Sequence, residues 1–369
     1  MWTYYQPVKV IFGEGELENV GKYLLENGMG KAFIIADPYQ MIAGNVKRIT
    51  DASNGAIVGA FSEVEPNPTI ENVHNAAQAA KMAGADSIIA IGGGSAMDCA
   101  KAAGVVLGDG IEAEELLRGH EIRKSLPVMA IPTTAGTGSE VTAGAVLSDP
   151  VKQIKAAIFS PEIFPKVALV DPVLTWTMPE KVTAACGLDV LAHSFDAMAS
   201  VKATKATDAL ALCAAKLAIA SLTKAVRDGS NKEARAAMAK ASLIAGLAFS
   251  QTGTTGSHAC SYILTAKYHM PHGEACAFTL DAWLEENARV KPELNGYAAE
   301  LGFSDIHALS SWLNDTKKAF GMRTRLSELG VSEKDLDEIV DSSMTSANMA
   351  NNIAHIGRED LKKLFMNKL

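Results

Sequence analysis

The sequence predicts an α/β domain built on a parallel sheet, followed by an all-α domain. In the first half of the chain, short β-prone runs alternate with Ala-rich stretches of helical spacing. Long Ala- and Leu-rich segments fill the second half. The chain has 369 residues, which is more than one hydrophobic core usually serves. We therefore expect two domains, one at residues 1–178 and one at residues 179–369.

Five apolar runs in the first half are predicted to form the strands of a Rossmann-like parallel sheet. Each run is continuously apolar, as is typical of strands that helices cover on both faces, and each ends in turn residues. Ala-rich stretches between them, such as residues 72–84, would supply the covering helices. The runs are KAFIIAD (31–37), GAIVGAF (55–61), DSIIAIGGGS (86–95), LPVMAIPTT (126–134) and KVALVDP (166–172).

From Val182 onward the sequence shows no convincing strand and predicts helices. Residues 204–226 and 231–249 are rich in Ala and Leu, which favour helix, and their apolar residues recur at helical spacing. The change of character follows MPEK (178–181), which places the domain boundary near residue 178.

Composition and charge exclude several classes of partner. The net charge is −8 and there is no long basic run, which disfavours nucleic acid and anionic membrane surfaces. Five cysteines are scattered without CxxC spacing, as in a reducing compartment. The N-terminus lacks a signal pattern, and no apolar run reaches the roughly 20 residues of a membrane helix. We expect a cytoplasmic protein with no nucleic-acid or membrane partner.

Two polar loops follow neighbouring predicted strands. Gly92, Gly93 and Gly94 lie between a strand and a helix, where backbone N–H groups can receive a phosphate and Ser95 can cap the helix. The alternative is an ordinary tight turn, because the run is not a GxGxxG fingerprint. Hydroxyls in the second loop, IPTTAGTGSEVT, belong to Thr133, Thr134, Thr137 and Ser139. Such loops at strand carboxyl ends are typical of a ligand crevice.

Two charged residues are further candidates for nucleotide contact. Asp37 ends the first predicted strand, where an acid can bind the ribose hydroxyls of NAD and repel the 2′-phosphate of NADP. It could equally be a turn or cap residue. Lys155 could reach a nucleotide or could be a solvated surface lysine.

A candidate metal site lies in the predicted helical half. Asp189 and His193 are four residues apart in GLDVLAH, so a helix projects both from one face. They could be two ligands of one cation or a buried hydrogen-bonded pair. The segment that follows 252 adds His258, His269 and His272. One carboxylate and three neutral imidazoles can hold a divalent ion and leave a position for substrate oxygen.

The ordered motifs of the chain resemble the iron-containing (group III) alcohol dehydrogenases, which share the dehydroquinate synthase-like fold. The resemblance covers most of the chain and is carried by FGEG, EPNPTIENV (65–73), IGGGSAMDCAK, IPTTAGTGSEVT, LVDPVLTWTMP, GLDVLAH and PHGEACA. It implies a dinucleotide-binding α/β domain, an all-α metal-binding domain, a homo-oligomer such as a dimer, and reversible hydride transfer between alcohol and nicotinamide.

The resemblance also implies site residues. Those similar to the family's metal ligands are Asp189, His193, His258 and His272, with His269 set aside. Those similar to its dinucleotide contacts are Gly93, Gly94, Ser95, Thr133 and Thr134, followed by Asp98, Thr137, Ser139 and Lys155. Asp37 matches the position that favours NAD(H) over NADP. The implied metal is Fe²⁺, although this ligand set also accepts Zn²⁺, Mn²⁺ or Co²⁺.

Two departures from the family pattern affect the proton path and the substrate. Tyr262 stands where many relatives have a histidine four residues after the third ligand, and Cys276 replaces an asparagine of the PHGxANA pattern. Tyr262 could assist proton transfer through a water or could simply pack.

We expect a small polar alcohol or aldehyde as substrate, carrying for example a sulfonate, phosphonate or carboxylate. The hydroxyls of residues 252–262 could hold such an anion, or they could cap helices and bond helix backbones. Alternatives are a glycerol dehydrogenase-like enzyme, a dehydroquinate synthase-like enzyme, a general short-chain alcohol dehydrogenase, and a protein that binds metal and nucleotide without catalysis.

Overall fold

A computed structural model describes residues 1–151 and 154–369, apart from the side chains of residues 154 and 155. The chain forms two compact units, one of residues Tyr5–Trp176 and one of Thr177–Leu369 with Met1–Tyr4. The first unit contains a parallel sheet and the second is mostly helical, so the predicted fold class is confirmed. The domain boundary at residue 178 stays a prediction.

The first unit is organised around a six-stranded parallel sheet in the order β1-β8-β5-β4-β2-β3, and β6 and β7 form a separate antiparallel pair. Its strands are β1 Lys9–Phe12, β2 Ala32–Ala36, β3 Ile57–Phe61, β4 Ser87–Gly92, β5 Val128–Pro132, β6 Gly144–Asp149, β7 Ile154–Phe159 and β8 Val167–Val170. Its helices are α1 Val20–Glu26, α2 Pro38–Ile42, α3 Asn45–Ala52, α4 Ile70–Met82, α5 Gly94–Val105 and α6 Ala113–Leu116.

All five predicted strands are present as β2, β3, β4, β5 and β8, and the helix predicted at 72–84 is α4. Three strands were not predicted. The four residues of β1 lie at the sheet edge and are partly exposed, so their pattern is weak. The β6–β7 hairpin alternates buried and half-buried residues in β6 and lies outside the main sheet.

The four central strands, β2, β4, β5 and β8, are buried on both faces, which explains their continuous apolar runs. In β4, Ile88 and Ala90 face a core that includes residues of α4 and α5. Ile89 and Ile91 face a second core that includes residues of α1 and α3. Because successive strand residues point to opposite faces, a strand buried on both sides has no solvent-facing positions and therefore lacks an alternating polar pattern.

Ten α-helices, among the described residues, form most of the second unit. They are α7 Glu180–Ala199, α8 Lys205–Arg227, α9 Lys232–Thr252, α10 Gly256–Ala266, α11 His272–Val290, α12 Glu293–Glu300, α13 Ile306–Ala319, α14 Leu336–Met344, α15 Ala347–Ala350 and α16 Arg358–Met366. The helices predicted at 204–226 and 231–249 are α8 and α9. Contrary to the expectation from the sequence, α8 has the length and apolar composition of a membrane span, a test that core helices of soluble proteins also pass.

Helix α7 is buried along most of its length because α8, α9 and α11 pack against it. Gly187 allows the close approach of α8, since a Cβ there would lie 2.1 Å from Cδ1 of Leu222. This packing holds the carboxylates and the imidazole of α7 in the interior of the unit.

Candidate metal site and cofactor loops

Four potential ligand groups converge in the interior of the helical unit. They come from three helices: Asp189 from α7, His258 from α10, and His272 and Cys276 from α11. The four donor atoms, one from each residue, all lie within 4.8 Å of one another. Asp189 Oδ1 is 3.7 Å from His258 Nε2. Three of the four sequence-predicted metal ligands therefore meet at one point, together with a thiol that sequence reasoning did not include.

Gly273 allows α11 to begin directly against α7. A Cβ at this position would lie 2.1 Å from the carbonyl oxygen of Ala185 and 2.9 Å from Cβ of Asp189. Only a residue without a side chain permits this approach. Because α11 begins at His272, the contact places the His272 imidazole beside the Asp189 carboxylate.

His193 lies next to this cluster, although it is not one of the four groups whose donors lie within 4.8 Å of one another. Its Nδ1 is 4.0 Å from Asp189 Oδ2. Its ring stacks between those of Phe249 and His258, at centroid distances of 4.2 and 4.7 Å. The helical spacing of four residues thus brings Asp189 and His193 together as expected, and ligation by His193 stays a proposal.

His269 lies outside the cluster, in agreement with its exclusion in favour of His258 and His272. It is exposed and adopts a positive φ of 53° between α10 and α11. The chain reverses here, so the two histidines that flank this turn face inward while His269 faces solvent.

Asp196 orients His258 and was not predicted from the sequence. Its Oδ2 lies 2.7 Å from His258 Nδ1 and accepts a hydrogen bond from the backbone N–H of Thr255 at 2.8 Å. Its Oδ1 accepts from the hydroxyl of Ser257 at 2.8 Å. Asp196 thereby caps α10 and directs Nε2 of His258 towards Asp189. The available signal was its spacing, because it lies seven residues after Asp189, two turns further along α7.

The donor set fits a divalent cation. Asp189 and His258 are only 2% and 3% exposed, and Asp189 Oδ1 and His258 Nε2 have no hydrogen-bond partner among the described residues. Unsatisfied polar atoms at this depth are costly unless something pairs with them. Two such atoms, facing each other at 3.7 Å, are the arrangement that a cation between them would satisfy.

Burial and neighbouring charges perturb the titration of these groups. Burial raises the pKa of Asp189 to about 7. Burial lowers the pKa of His258, but the neighbouring Cys276 and the hydrogen bond with Asp196 outweigh it and hold that pKa well above its usual value. Perturbed groups of this kind are concentrated at functional sites.

In the α/β unit, the two polar loops meet at the carboxyl ends of β4 and β5, which are neighbouring strands. A Cβ on Gly93 would lie 3.5 Å from the side chain of Thr134, and one on Gly94 would lie 3.0 Å from Thr137. Gly93 is the N-cap of α5 and offers no side chain there. The backbone N–H groups at the start of α5 and two threonines therefore lie together, as a phosphate site requires.

Asp37 lies beside the same loops and also caps α2. Its Oδ1 accepts from the backbone N–H of Tyr39 at 3.0 Å. A Cβ on Gly92, whose φ is +148°, would lie 2.6 Å from Asp37 Oδ2. The amide of Gln40 donates to Asp37 and, at 3.2 Å, to the hydroxyl of Thr133. Asp37 therefore has the capping role that was one of the two alternatives from the sequence. Its carboxylate also borders the glycine loop.

Asp98 and Ser139 form hydrogen bonds within the protein. Ser139 Oγ donates to Asp98 Oδ1 at 2.8 Å, and the N–H of Val146 donates to Asp98 Oδ2 at 2.9 Å. The buried ammonium of Lys101 donates to the carbonyl and hydroxyl oxygens of Ser139. These contacts fasten α5 to β6 and to the second loop, which is a positioning role for both residues.

The remaining cofactor-site candidates are Ser95, which does not have the capping role expected of it, and Lys155, whose side chain is not described. Ser95 does not cap α5, because Gly93 occupies the cap position; the Ser95 hydroxyl instead accepts from the N–H of Asn67 at 3.1 Å. The backbone of Lys155 lies in β7, opposite Ser148, and its side chain lies outside the described part of the chain.

Tyr262 lies on α10, one turn after His258. Its hydroxyl accepts a hydrogen bond of 2.9 Å from the amide of Asn348 on α15. Burial raises its pKa, so the phenol keeps its proton at neutral pH. With Asn348 as donor, the phenolic proton is free to be given to another group.

Several hydroxyls of residues 252–262 bond within the protein, as the alternative interpretation expects. Thr252 donates to the carbonyl of Gly253, Ser257 to Asp196, and Ser261 to the carbonyl of His258. The hydroxyl of Thr255 is buried without a hydrogen-bond partner among the described residues. The segment is therefore a weaker anion site than its composition suggested.

Comparison with known proteins gives matches over nearly the whole chain. The family model described as iron-containing alcohol dehydrogenase matches residues 7–172, and that of the C-terminal domain of the Fe-containing alcohol dehydrogenase family matches residues 183–369. The NAD-dependent methanol dehydrogenase of Bacillus methanolicus is 32% identical, with 100% of both chains covered. Sulfoacetaldehyde reductase of Bilophila wadsworthia is 31% identical, over 95% of this chain and 94% of the relative.

Solved structures extend the similarity to three dimensions. The crystal structure of sulfoacetaldehyde reductase from Bifidobacterium kashiwanohense in complex with NAD⁺ has a TM-score of 0.94 and 37% identity, over 100% of this chain and 98% of that chain. A 1,3-propanediol oxidoreductase structure has a TM-score of 0.91 and 30% identity, with both chains fully covered.

Proposed function

The chain belongs to the iron-containing alcohol dehydrogenases, and from that premise we propose that it reduces a small anionic aldehyde, sulfoacetaldehyde or a close analogue, with NADH. As a member of this family it is an NAD(P)-dependent enzyme that interconverts alcohols and aldehydes. The substrate, the site residues, the cytoplasmic location and the homodimer are parts of the proposal.

The cofactor site of the proposal is formed by Gly93, Gly94, Thr133, Thr134 and Thr137. The first N–H groups of α5 and the positive end of its dipole receive the pyrophosphate. A nicotinamide cofactor held there would supply the hydride for aldehyde reduction. Asp37 accepts hydrogen bonds from the ribose hydroxyls and repels the 2′-phosphate of NADP.

The metal site of the proposal is formed by Asp189, His193, His258 and His272. The two buried atoms without partners, Asp189 Oδ1 and His258 Nε2, support this assignment. A divalent cation, Fe²⁺ or alternatively Zn²⁺ or Mn²⁺, supplies Lewis-acid activation of the substrate oxygen when bound. Asp196 keeps Nδ1 of His258 engaged, so that Nε2 is the nitrogen offered to the cation.

In this proposal, Tyr262 donates the proton that aldehyde reduction requires. Its phenol retains its proton and accepts a hydrogen bond from the amide of Asn348. The O–H group therefore donates to a group other than that amide. A tyrosine can act as a general acid directly or through one water. Tyr262 would then perform the work done by a histidine at this position in many relatives.

The observation that carries the substrate proposal is the similarity to sulfoacetaldehyde reductases, one of which has 37% identity and a TM-score of 0.94 to this chain. A second candidate, oxidation of short unsubstituted alcohols, is favoured by the full-length match to a methanol dehydrogenase. A dehydroquinate synthase-like enzyme would show no net consumption of NADH. A protein that only binds metal and nucleotide would turn over neither anionic aldehydes nor unsubstituted alcohols.

A panel of aldehydes on protein reconstituted with Fe²⁺ or Zn²⁺ separates these candidates. With NADH, we expect kcat/KM for sulfoacetaldehyde to exceed that for propanal by at least about a hundredfold, because a site adapted to a sulfonate would leave its hydrogen-bonding groups unpaired against a neutral aldehyde. Propanal is the neutral control of similar length. Equal kcat/KM for the two would contradict the anionic substrate, and preference for formaldehyde would favour the second candidate. Comparison of NADH with NADPH tests the cofactor assignment.

A further inference from the structure

We propose that the sulfur of Cys276 is a ligand of the catalytic cation, so that this chain holds its metal with one thiolate in addition to oxygen and imidazole donors. The proposal rests on the proposed function in one respect, namely that a divalent cation occupies the cluster of Asp189, His258 and His272.

The position of Cys276 meets the geometric requirements of a ligand. It lies on α11 four residues after His272, so both project from the same face one turn apart. Its Sγ is 3.6 Å from Nε2 and 3.8 Å from Nδ1 of His272. It also belongs to the group whose donor atoms all lie within 4.8 Å of one another. A cation that contacts Asp189, His258 and His272 therefore has this sulfur within reach.

The unsatisfied atoms of the cluster are an independent observation pointing to a ligand at this place. Asp189 Oδ1 and His258 Nε2 are buried and have no hydrogen-bond partner among the described residues. Cys276 is fully buried with them. On the side of α11, His272 and Cys276 supply the donors of the cluster, whereas the carboxylate of Glu274 between them is paired with Arg323.

The contrast with Cys260 shows that burial of a cysteine in this unit does not by itself place it in the cluster. Cys260 lies on α10 two residues after His258 and is equally buried. It packs in an apolar core with Phe278 and Trp283 and is not among the clustered donors. Cys276 is buried to the same extent and, unlike Cys260, belongs to the donor cluster.

Ligation converts the neutral thiol to a thiolate: the S–H bond breaks, the sulfur–metal bond forms, and the proton leaves to buffer. A soft thiolate raises affinity for Zn²⁺ and Co²⁺ relative to Mn²⁺, which prefers oxygen donors. The family pattern has an asparagine at this position, so the replacement would change metal selectivity in this chain without changing the other ligands.

The test uses full-length protein loaded with Co²⁺ and a second sample loaded with Zn²⁺. Visible ligand-field bands report cobalt binding, and a near-ultraviolet sulfur-to-cobalt charge-transfer band reports sulfur ligation. We expect both in the native chain, and X-ray absorption of the zinc protein should contain a Zn–S distance of about 2.3 Å. Cys276→Ser and Cys276→Ala should lose the charge-transfer band and keep the ligand-field bands, with Zn²⁺ affinity reduced at least about tenfold.

Cys260→Ser is the matched control and should retain both sets of bands. Visible bands without a charge-transfer band in the native protein, and no Zn–S distance, would overturn sulfur ligation while leaving the proposed metal site intact. Cys186 is a free cysteine on α7, three residues before Asp189, and loss of the band in Cys186→Ser in place of Cys276→Ser would also overturn sulfur ligation by Cys276. Failure of cobalt and zinc to bind would contradict the metal site of the proposed function and this inference together. The zinc measurement needs no variant, so it decides the question even if Cys276→Ser does not fold.

Discussion

Oδ2 of Asp196 lies 2.7 Å from Nδ1 of His258, which leaves Nε2 of that imidazole directed at the carboxylate of Asp189. The same carboxylate caps the helix on which His258 sits, through the N–H of Thr255 and the hydroxyl of Ser257. The orientation of the ring and the start of α10 are therefore determined by one side chain. Outer carboxylates of this kind set the tautomer and the basicity of ligand histidines.

Replacement of Asp196 by asparagine should weaken metal binding. An amide cannot hold the Nδ1 proton as a carboxylate does, so we expect Zn²⁺ affinity to fall about ten- to a hundredfold in competition with a chromogenic chelator. Asp341→Asn, at an exposed position, is the control and should bind like the native chain. Unchanged affinity in Asp196→Asn would mean that the contact supports only α10.

His272→Ala should remove the cation, whereas His269→Asn should not. His272 lies in the donor cluster, and His269 is exposed in the same segment with a positive φ that asparagine tolerates. We expect the metal affinity of His272→Ala to fall about a hundredfold, with aldehyde reduction falling in parallel. Metal content measured by mass spectrometry and NADH oxidation report the two effects. Full metal content in His272→Ala would contradict the proposed site.

Asp37→Ser should relax the preference for NADH. Serine preserves the cap of α2, so the change removes chiefly the negative charge beside Gly92. We expect the ratio of kcat/KM with NADPH to that with NADH to rise at least about tenfold, because repulsion of the 2′-phosphate disappears. Asp51→Ser, an exposed acid of the same unit, is the control. An unchanged ratio would leave Asp37 with a structural role alone.

Tyr262→Phe should slow turnover if the phenol delivers the proton. The loss of a general acid lowers kcat by about a hundredfold, and the change should also alter the pH profile of kcat. Tyr268→Phe, whose hydroxyl is buried without a hydrogen-bond partner among the described residues, is the matched control. If kcat and its pH profile in Tyr262→Phe equal those of the native chain, the hydroxyl takes no part in proton transfer.

Asp281→Asn should destabilise the protein in a pH-dependent manner. Asp281 accepts from the ammonium groups of Lys317 at 2.8 Å and Lys368 at 2.9 Å. Burial raises the pKa of Asp281, but the two ammonium groups outweigh it and lower that pKa. Its stabilising contribution is therefore complete above the unfolded value of about 3.9 and disappears as pH falls through the lower folded value.

We expect the free energy of unfolding of Asp281→Asn to be lower than native by about 3 kcal/mol at neutral pH, since two buried cations lose their partner. The difference should shrink below pH ~4. Urea denaturation at several pH values measures it. A difference that is the same at all pH values would show that packing, not charge, accounts for the loss.

The local sequence pattern predicted many of the strands and helices. The features that it did not predict depend on contacts between residues distant in the chain. The continuous apolar runs predicted β2, β4, β5 and β8 because these strands are buried on both faces. The edge strand β3 has the same apolar composition, although its residues are only partly buried. Helical spacing placed Asp189 beside His193 for a similarly local reason. By contrast, the role of Asp196 depends on a contact 62 residues along the chain, and the inward position of Cys276 depends on how α11 packs against α7.

The hydroxyls of residues 252–262 show that local sequence can also suggest a site that the tertiary contacts do not support. Their number suggested an anion site, but a hydroxyl that lies near a helix terminus or a backbone carbonyl satisfies itself there. Thr252 and Ser261 do so. Whether a hydroxyl faces a ligand depends on the direction of its rotamer, which residue type and order do not specify.

The origin of the clustered donors on three separate helices, α7, α10 and α11, affects how the protein matures. No short peptide of this chain contains the whole set, so a free cation meets a complete pocket only after tertiary assembly. If these donors hold the cation as proposed, loading with metal would report correct assembly of the helical unit, and scarcity of the ion would lower the population of that assembled state by mass action.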